Sequence, residues 1–189
     1  MTEISFLAGE LLLAAAWLLV RAAVCIRKRH LDLRREVLLL LMYVNLAVLL
    51  RFTFYPMEKV NGRVAPLLFE PDAVFPLRVN FVPLVHILEY DSLRDTLLNI
   101  IGNAAMFVPT GIILPVLYKR LNSFWKATAA GFGLSLTIEL MQLPFAVRAT
   151  DIDDLLLNTL GCMAGYGMIR IVQRIRARHQ DLIRKSMIS

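Results

Sequence analysis

Hydrophobic residues form long unbroken stretches along this chain, and polar residues fall mainly between them. The stretches are each near the length of about 20 residues that crosses a hydrocarbon core of roughly 30 Å. They occupy residues 4–25, 37–55, 97–118, 127–144 and 155–172. A backbone in lipid must satisfy its own hydrogen bonds, and the alternation typical of barrel strands is absent, so each stretch predicts a helix. The expected fold is all-α: a polytopic membrane helix bundle of about five transmembrane helices.

Lysine and arginine lie beside alternate ends of these stretches, which predicts an orientation. Residues 27–35 after the first stretch, 119–126 after the third and 174–185 after the last are rich in both. Because such segments stay in the cytoplasm, the N-terminus is predicted outside and the C-terminus inside. The loop at about 56–95 then lies on the outer side. Its five prolines and glycines at 56–76 predict irregular structure.

Composition narrows the class further. With 58% hydrophobic and 19% charged residues, the chain cannot cover a soluble domain with polar surface. No repeat or low-complexity tract divides residues 1–189, so a single membrane domain is expected. The net charge of +6 serves mainly to set topology, and the basic tail predicts contact with anionic membrane lipid rather than nucleic acid.

Histidine and cysteine point to neither a metal site nor a disulfide. His30, His86 and His179 lie in three separate segments without metal-ligand spacing. Cys25 and Cys162 are expected on different levels of the membrane. No metal and no cofactor are therefore predicted.

Polar residues inside the stretches gather toward the outer ends. At a rise of about 1.5 Å per residue, Glu10, Arg51 and Glu139 fall at similar depths of roughly 6–9 Å below the outer surface. Charges inside a bilayer cost about 2.5 to 3.5 kcal/mol each and normally pair or face a wet cavity. An outward-facing polar pocket is the resulting hypothesis. Its candidate residues are Arg51, Asn99, Asn103, Glu139, Gln142, Arg148, Asp151, Asp153, Asp154 and Asn158.

Spacing places these residues on single helical faces. Asn99 and Asn103 are four residues apart, and two rows continue inward as small residues. The rows are Gly131, Ser135, Glu139, Gln142 and Asp154, Asn158, Gly161, Gly165. The second row ends in the spacing that lets helices approach closely. Pro109 and Pro115 are expected to kink the third helix or to free carbonyl acceptors.

Structural interpretations of the same residues stay open. The amides are also typical of packing contacts between membrane helices. Glu139 paired with Arg51 or Arg148 could hold helices in register. Asp151, Asp153 and Asp154 are also typical of N-cap and first-turn acids.

The later motifs resemble those of the VanZ-like family of membrane proteins. They run in order over about 80–166, beginning with Asn80 and Pro83 in an Asn-x-x-Pro element. The further motifs are Asn103 to Pro115, Glu139 with Gln142, Arg148 to Asp154, and Asn158 to Tyr166. The resemblance implies a multi-pass protein of the bacterial cytoplasmic membrane and a contribution to glycopeptide (teicoplanin) resistance.

Two functions are compatible with this pattern. In the first, the pocket, with Asn80 beside it, binds an amphiphilic cell-envelope ligand such as a lipid-linked cell-wall precursor or a lipoglycopeptide. In the second, a membrane-embedded enzyme uses Glu139 as a general base while Asp151, Asp153 and Asp154 hold a divalent cation. The sequence offers no recognisable Ser, Cys or His nucleophile constellation, which favours binding.

Overall fold

The computed structural model describes residues 2–27, 32–57, 59–75, 79–80, 82, 92–145 and 150–186. These residues form an all-α bundle, as predicted. The helices are α1 (Phe6–Arg27), α2 (Leu33–Leu49), α3 (Leu93–Leu117), α4 (Phe124–Gln142) and α5 (Ile152–Ser186). A π-helical turn, Leu50–Phe54, extends α2.

Four helices in the described part of the chain are long and apolar enough to cross a membrane. They are Phe6–Arg27, Leu33–Phe54, Leu93–Leu117 and Ile152–Arg184. The remaining helix, α4, has 19 residues and buries small and polar side chains along one face. Its length of about 28 Å suits a fifth crossing, and this crossing and the N-out orientation stay predictions. The prediction of a membrane helix bundle is confirmed.

The last helix is longer than its apolar stretch predicted. It continues past residue 172 through the basic segment to Ser186. At about 1.5 Å per residue, its 35 residues exceed the thickness of the hydrocarbon core. The basic C-terminal end of α5 therefore extends beyond the lipid as helix.

Helices α3 and α5 meet backbone to backbone. A Cβ atom at Gly161 would lie 1.9 Å from the carbonyl oxygen of Ala104, and one at Gly165 would lie 2.1 Å from that of Val108. On the facing helix, a Cβ at Gly111 would lie 2.0 Å from the Cys162 carbonyl oxygen. Real Cβ atoms do not approach carbonyl oxygens so closely. The close approach predicted from the Gly161 and Gly165 spacing is confirmed.

Helix α4 packs on the other side of α5 through the predicted row. Gly131, Ser135, Glu139 and Gln142 are all buried. A Cβ at Gly131 would lie 2.5 Å from the sulfur of Cys162, so this glycine makes room for the thiol. Helices α3, α4 and α5 thus form a frame with small residues at its contacts.

Asn45 joins α2 to α3 in the membrane interior. Its amide donates to the Met106 carbonyl at 2.9 Å, and its oxygen accepts from the Thr110 hydroxyl at 2.6 Å. Both partners flank Pro109, whose missing N–H weakens the backbone hydrogen bonding of that turn. Helix α3 nevertheless runs unbroken through both prolines. The Met106 carbonyl therefore links α3 to α2 through Asn45, whereas the acceptor that Pro109 leaves without a helical donor is the carbonyl of Ala105.

Helix α1 contacts the rest of the bundle near its two ends and, in its middle, through Trp17, whose ring lies 5.2 Å from that of Tyr43 on α2. No residue of this fully described helix is buried. At one end the Tyr55 hydroxyl donates to the Ser5 carbonyl at 3.1 Å and lies against Gly9. At the other end Arg21 forms an ion pair with Glu36 of α2.

The loop after α2 contains short strands, so the prediction of irregular structure at 56–76 was wrong. Lys59–Val60 (β2) pairs with Arg63–Val64 (β3) across Asn61 and Gly62, which both have positive φ. An Asn-Gly turn matches the twist of a two-residue hairpin, and this signal outweighs the neighbouring prolines. Leu67–Phe69 (β4) pairs antiparallel with Thr2–Ile4 (β1), which joins the loop to the N-terminus.

Candidate functional site

The centre of the site is a short parallel contact between the loop that follows α2 and the start of α5. Val79–Asn80 (β5) pairs with Thr150–Asp151 (β6), which brings Asn80 beside Asp151. The Asn80 amide donates to the Asp151 carboxylate at 3.3 Å. The Asn80 oxygen accepts the Val82 N–H at 3.1 Å, which fixes the orientation of the amide.

Asp151 links three elements of the bundle. It precedes α5, and its carboxylate accepts the Asp153 N–H at 3.0 Å, which is the hydrogen bond of an N-cap. Its own N–H donates to the Glu139 carboxylate of α4 at 3.2 Å. Asp151 is therefore both a helix cap and the connection between Asn80 and Glu139.

The next turn of α5 connects to α3. The Asn103 amide donates to the Asp154 carboxylate at 2.5 Å. Asn99 lies one turn before Asn103 and is half-buried. A short amide can reach a short carboxylate here because the backbones of α3 and α5 are in contact at Ala104, the residue after Asn103, and at Gly161.

Below Asp154, Asn158 is 1% exposed. Its amide nitrogen donates to the Ser135 hydroxyl of α4 at 2.9 Å. Its side-chain oxygen has no hydrogen-bond partner among the described residues. An unsatisfied buried acceptor costs about 1 to 3 kcal/mol. The innermost member of the site thus has a buried acceptor that no donor among the described residues satisfies.

A second polar group lies where α2 ends. The Gln142 amide donates to the Thr53 carbonyl of the π-helical turn at 2.5 Å. Arg51 donates to the carbonyls of Tyr55 and Pro56, both at 3.2 Å, and lies over the Phe6 ring at 5.7 Å. The guanidinium therefore caps its own helix and, within the described residues, makes no ion pair with Glu139. Glu139 and Gln142, one turn apart on α4, connect the two groups.

The remaining sequence candidates are Arg148 and Glu10. Apolar residues at helical spacing from Leu84 also predict a short interfacial helix. Arg148 and residues 83–91 of that segment lie outside the described residues. Glu10 is half-buried on α1, next to Gly9 and Tyr55.

The carboxylates of the site are directed at different partners. Asp151 faces Asn80, and Asp154 faces Asn103. Glu139 and Asp153 are 3% and 4% exposed. In the part of the chain that the structure describes, no three His, Cys, Asp or Glu side chains converge as they would around a metal ion. The arrangement is a buried network of amides and carboxylates drawn from three helices and one loop strand.

Sequence reasoning missed two members. Ser135 was predicted as a small packing residue, yet its hydroxyl accepts from Asn158; its place in the Glu139 row was the available signal. Thr53 contributes a backbone carbonyl from a π-helical turn, for which the sequence carries no signal.

The fold and the hydrogen-bonded network together define a polytopic all-α membrane protein whose polar residues are joined by hydrogen bonds at one end of the bundle. The family model VanZ/LLP1 matches residues 38–173, so this chain belongs to the VanZ/LLP1 family. The matched range contains the described network from Arg51 to Asn158.

A curated relative is Protein VanZ of Enterococcus faecium. The two are 40% identical over 73 residues, which is 37% of this chain and 45% of that protein. The match thus spans less than half of the relative's length. No solved structure matches this chain.

Proposed function

We propose that this chain is a multi-pass protein of the bacterial cytoplasmic membrane that binds an amphiphilic cell-envelope ligand at its polar network. The ligand class is a lipid-linked cell-wall precursor or a lipoglycopeptide. Binding it contributes to glycopeptide resistance, including resistance to teicoplanin. Membership of the VanZ/LLP1 family supports the link to resistance.

The proposal depends most on the buried, unsatisfied acceptor of Asn158 beneath a layer of hydrogen-bonded polar groups. Buried amides and carboxylates are costly in a membrane and are normally satisfied. Here the Asn103 and Asp154 pair orients the layer above, and the Asn158 oxygen is left without a donor. Sugars and peptides carry the hydroxyl and amide donors that such acceptors bind.

The outer side is favoured for this site by the charges at the other end of the bundle. Arg27, Lys119 and Arg120 lie at the ends of α1 and α3 opposite to the network. Basic segments beside membrane helices stay in the cytoplasm. A ligand at the network would then come from the outer leaflet, where an amphiphile can enter sideways with its head group at the depth of Asp154.

Ligand binding fits the chemistry of the network better than catalysis. A general base must reach the proton that it removes, and the Glu139 carboxylate accepts the Asp151 N–H at 3.2 Å. Asp151 in turn caps α5. These carboxylates have structural hydrogen bonds that fix the shape of the site, which is what selective binding requires.

Conservative variants test the proposal. Glu139→Gln and Asp154→Asn keep size but remove charge, and Thr137→Val on the exposed face of α4 is the matched control. In purified protein, both site variants should bind labelled lipid-linked precursor or teicoplanin at least tenfold more weakly than the control. In a susceptible host, they should also lower the teicoplanin concentration tolerated.

Two results would contradict this proposal. Unchanged binding in both site variants would remove the network from the ligand site. Conversion of the labelled precursor by the wild type, lost in both variants while binding persists, would establish an enzyme instead.

Orientation has its own test by cysteine labelling in a Cys25→Ser background, with Cys162 protected by burial. A thiol at position 150 should react with an impermeant reagent in intact cells. A thiol at position 186 should react only after the membrane is opened. The reverse pattern would place the network on the cytoplasmic side.

A further inference from the structure

A second site lies at the opposite end of the bundle, in a groove between α2 and α5 with α3 as its floor. Two adjoining cavities of about 420 and 700 Å³ share Arg34, Leu38, Val116 and Gln173 as lining residues. From Arg34 to Arg51 the helical rise is roughly 26 Å, close to the thickness of a hydrocarbon core. The groove and the polar network therefore occupy opposite membrane surfaces.

The smaller cavity is basic. Its lining includes Arg34, Arg35 and Lys119, against a single carboxylate, Asp32. Asp32 is already used as the N-cap of α2, where it accepts the Arg34 N–H at 3.0 Å. The Arg34 guanidinium makes no hydrogen bond or ion pair among the described residues. An excess of positive charge is thus left facing the cavity.

Arg35 is held in place by its surroundings. Its guanidinium donates to the Leu117 carbonyl at 3.4 Å and lies 5.6 Å from the centre of the Tyr118 ring. The Arg35 side chain is half-buried. This cation has a defined position before any ligand arrives, which lowers the entropic cost of binding an anion.

The larger cavity is mainly apolar and lies deeper. On α2 it extends from Arg34 to Val37, and on α5 from Arg176 and Gln173 inward to Ile169. On α3 it is lined by Ile112, about 7 Å deeper than the Leu117 level of the basic cavity. At the ends of all three helices, charged side chains therefore lie near the membrane surface and apolar side chains lie beneath them.

This order of groups is complementary to one kind of molecule. A phosphate binds arginine and lysine through charge-assisted hydrogen bonds, and an acyl chain fills an apolar cleft. Basic pockets between membrane helices on the cytoplasmic side are typical sites for anionic head groups. We propose that this groove binds an anionic phospholipid, with its phosphate among Arg34, Arg35 and Lys119 and an acyl chain between Val37 and Ile169.

The experiment uses the full chain in neutral phosphatidylcholine nanodiscs with added phosphatidylglycerol. Binding is measured in two ways. A ligand that binds only the folded state raises the melting temperature of the protein, and native mass spectrometry detects the complex directly. The test variant is Arg34→Gln with Lys119→Gln. The control is Arg174→Gln with Arg178→Gln, which removes the same charge from exposed positions of α5 that do not line either cavity.

Phosphatidylglycerol should stabilise the wild type and the control equally, and its affinity for the test variant should fall at least tenfold. Glycerol phosphate, which has the anion without the chains, should give no stabilisation. An equal loss of phosphatidylglycerol affinity in both double variants would mean that general surface charge, and not this groove, binds the lipid. Stabilisation by glycerol phosphate, or no preference over phosphatidylcholine, would also overturn the lipid site.

Discussion

Two helix contacts in this bundle are built in opposite ways. Between α3 and α5, glycines bring the backbones together. Around α1, no residue is buried, and large leucines such as Leu11, Leu12 and Leu19 are exposed. Lipid is as apolar as leucine, so large apolar side chains gain little by leaving it, and close packing of small residues carries helix association instead. The α3, α4 and α5 frame therefore holds the polar network, while α1 is peripheral.

The largest effect is expected at the α3 and α5 contact. Gly161→Ala would place a methyl group against the Ala104 carbonyl and should destabilise the protein by about 3 kcal/mol or more. Gly133→Ala, at a position with open space, is the control and should be neutral or slightly stabilising. Thermal unfolding in detergent measures both. Equal stability of the two variants would contradict the backbone contact.

The network itself should give the next largest effect. Asn103→Leu and Asp154→Leu each remove one partner of a hydrogen bond to a charged group, which is worth about 1.5 to 3 kcal/mol. The double variant should cost less than the sum of the two singles, because the first change already breaks the bond. A double-mutant cycle of unfolding free energies measures this coupling. Additive losses would show that the pair does not interact.

A smaller effect is expected at the outer end of α1. Gly9→Ala would place a methyl group 2.3 Å from the Tyr55 hydroxyl oxygen and should destabilise by about 1 kcal/mol, since the ring can shift. In a Tyr55→Phe background the nearest atom is 3.1 Å away, so most of that loss should disappear. The measurement is the melting temperature of the wild type, of each single variant and of the double variant. An equal loss of stability from Gly9→Ala in the Tyr55→Phe background would rule out this contact.

The smallest effect is expected at the inner end of α1. Arg21 and Glu36 form a partly exposed ion pair, with 12% and 28% of their side chains accessible. Such pairs contribute about 0.2 to 1 kcal/mol. Arg21→Gln should therefore lower stability by less than 1 kcal/mol, and by less still in high salt. A loss as large as that of Gly161→Ala would mean that α1 belongs to the frame.

The sequence was sufficient to predict the helices and to predict which residues share a helical face. A long apolar stretch satisfies its backbone hydrogen bonds in lipid by forming a helix. The spacing of Gly161 and Gly165 predicts directly which face of that helix contacts a neighbour. It was harder to predict which residues of different elements contact one another across the bundle. The Asn80 and Asp151 contact depends on a parallel strand pairing between segments 71 residues apart, which periodicity does not encode.

Arg51 shows a different limit. Its depth predicted a charge facing the pocket, but the π-helical turn leaves the Tyr55 and Pro56 carbonyls within reach of its guanidinium. A residue at the end of a membrane helix can satisfy its own backbone, and hydropathy does not distinguish this from a role in binding. The groove beside Arg34 was missed because the basic residues after the first apolar stretch were used only to predict topology.

The glycine contact also determines which side chains can form the network. Asparagine and aspartate are short, and Asn103 reaches Asp154 across two helices that touch at Ala104, the residue after Asn103, and at Gly161, two turns after Asp154. A Cβ atom at position 161 would lie 1.9 Å from the Ala104 carbonyl oxygen, so a larger residue there would push the two helices apart and strain the hydrogen bond between Asn103 and Asp154. The distance between the helix axes thus decides which side chains can bond across this contact, although no glycine has a functional group of its own.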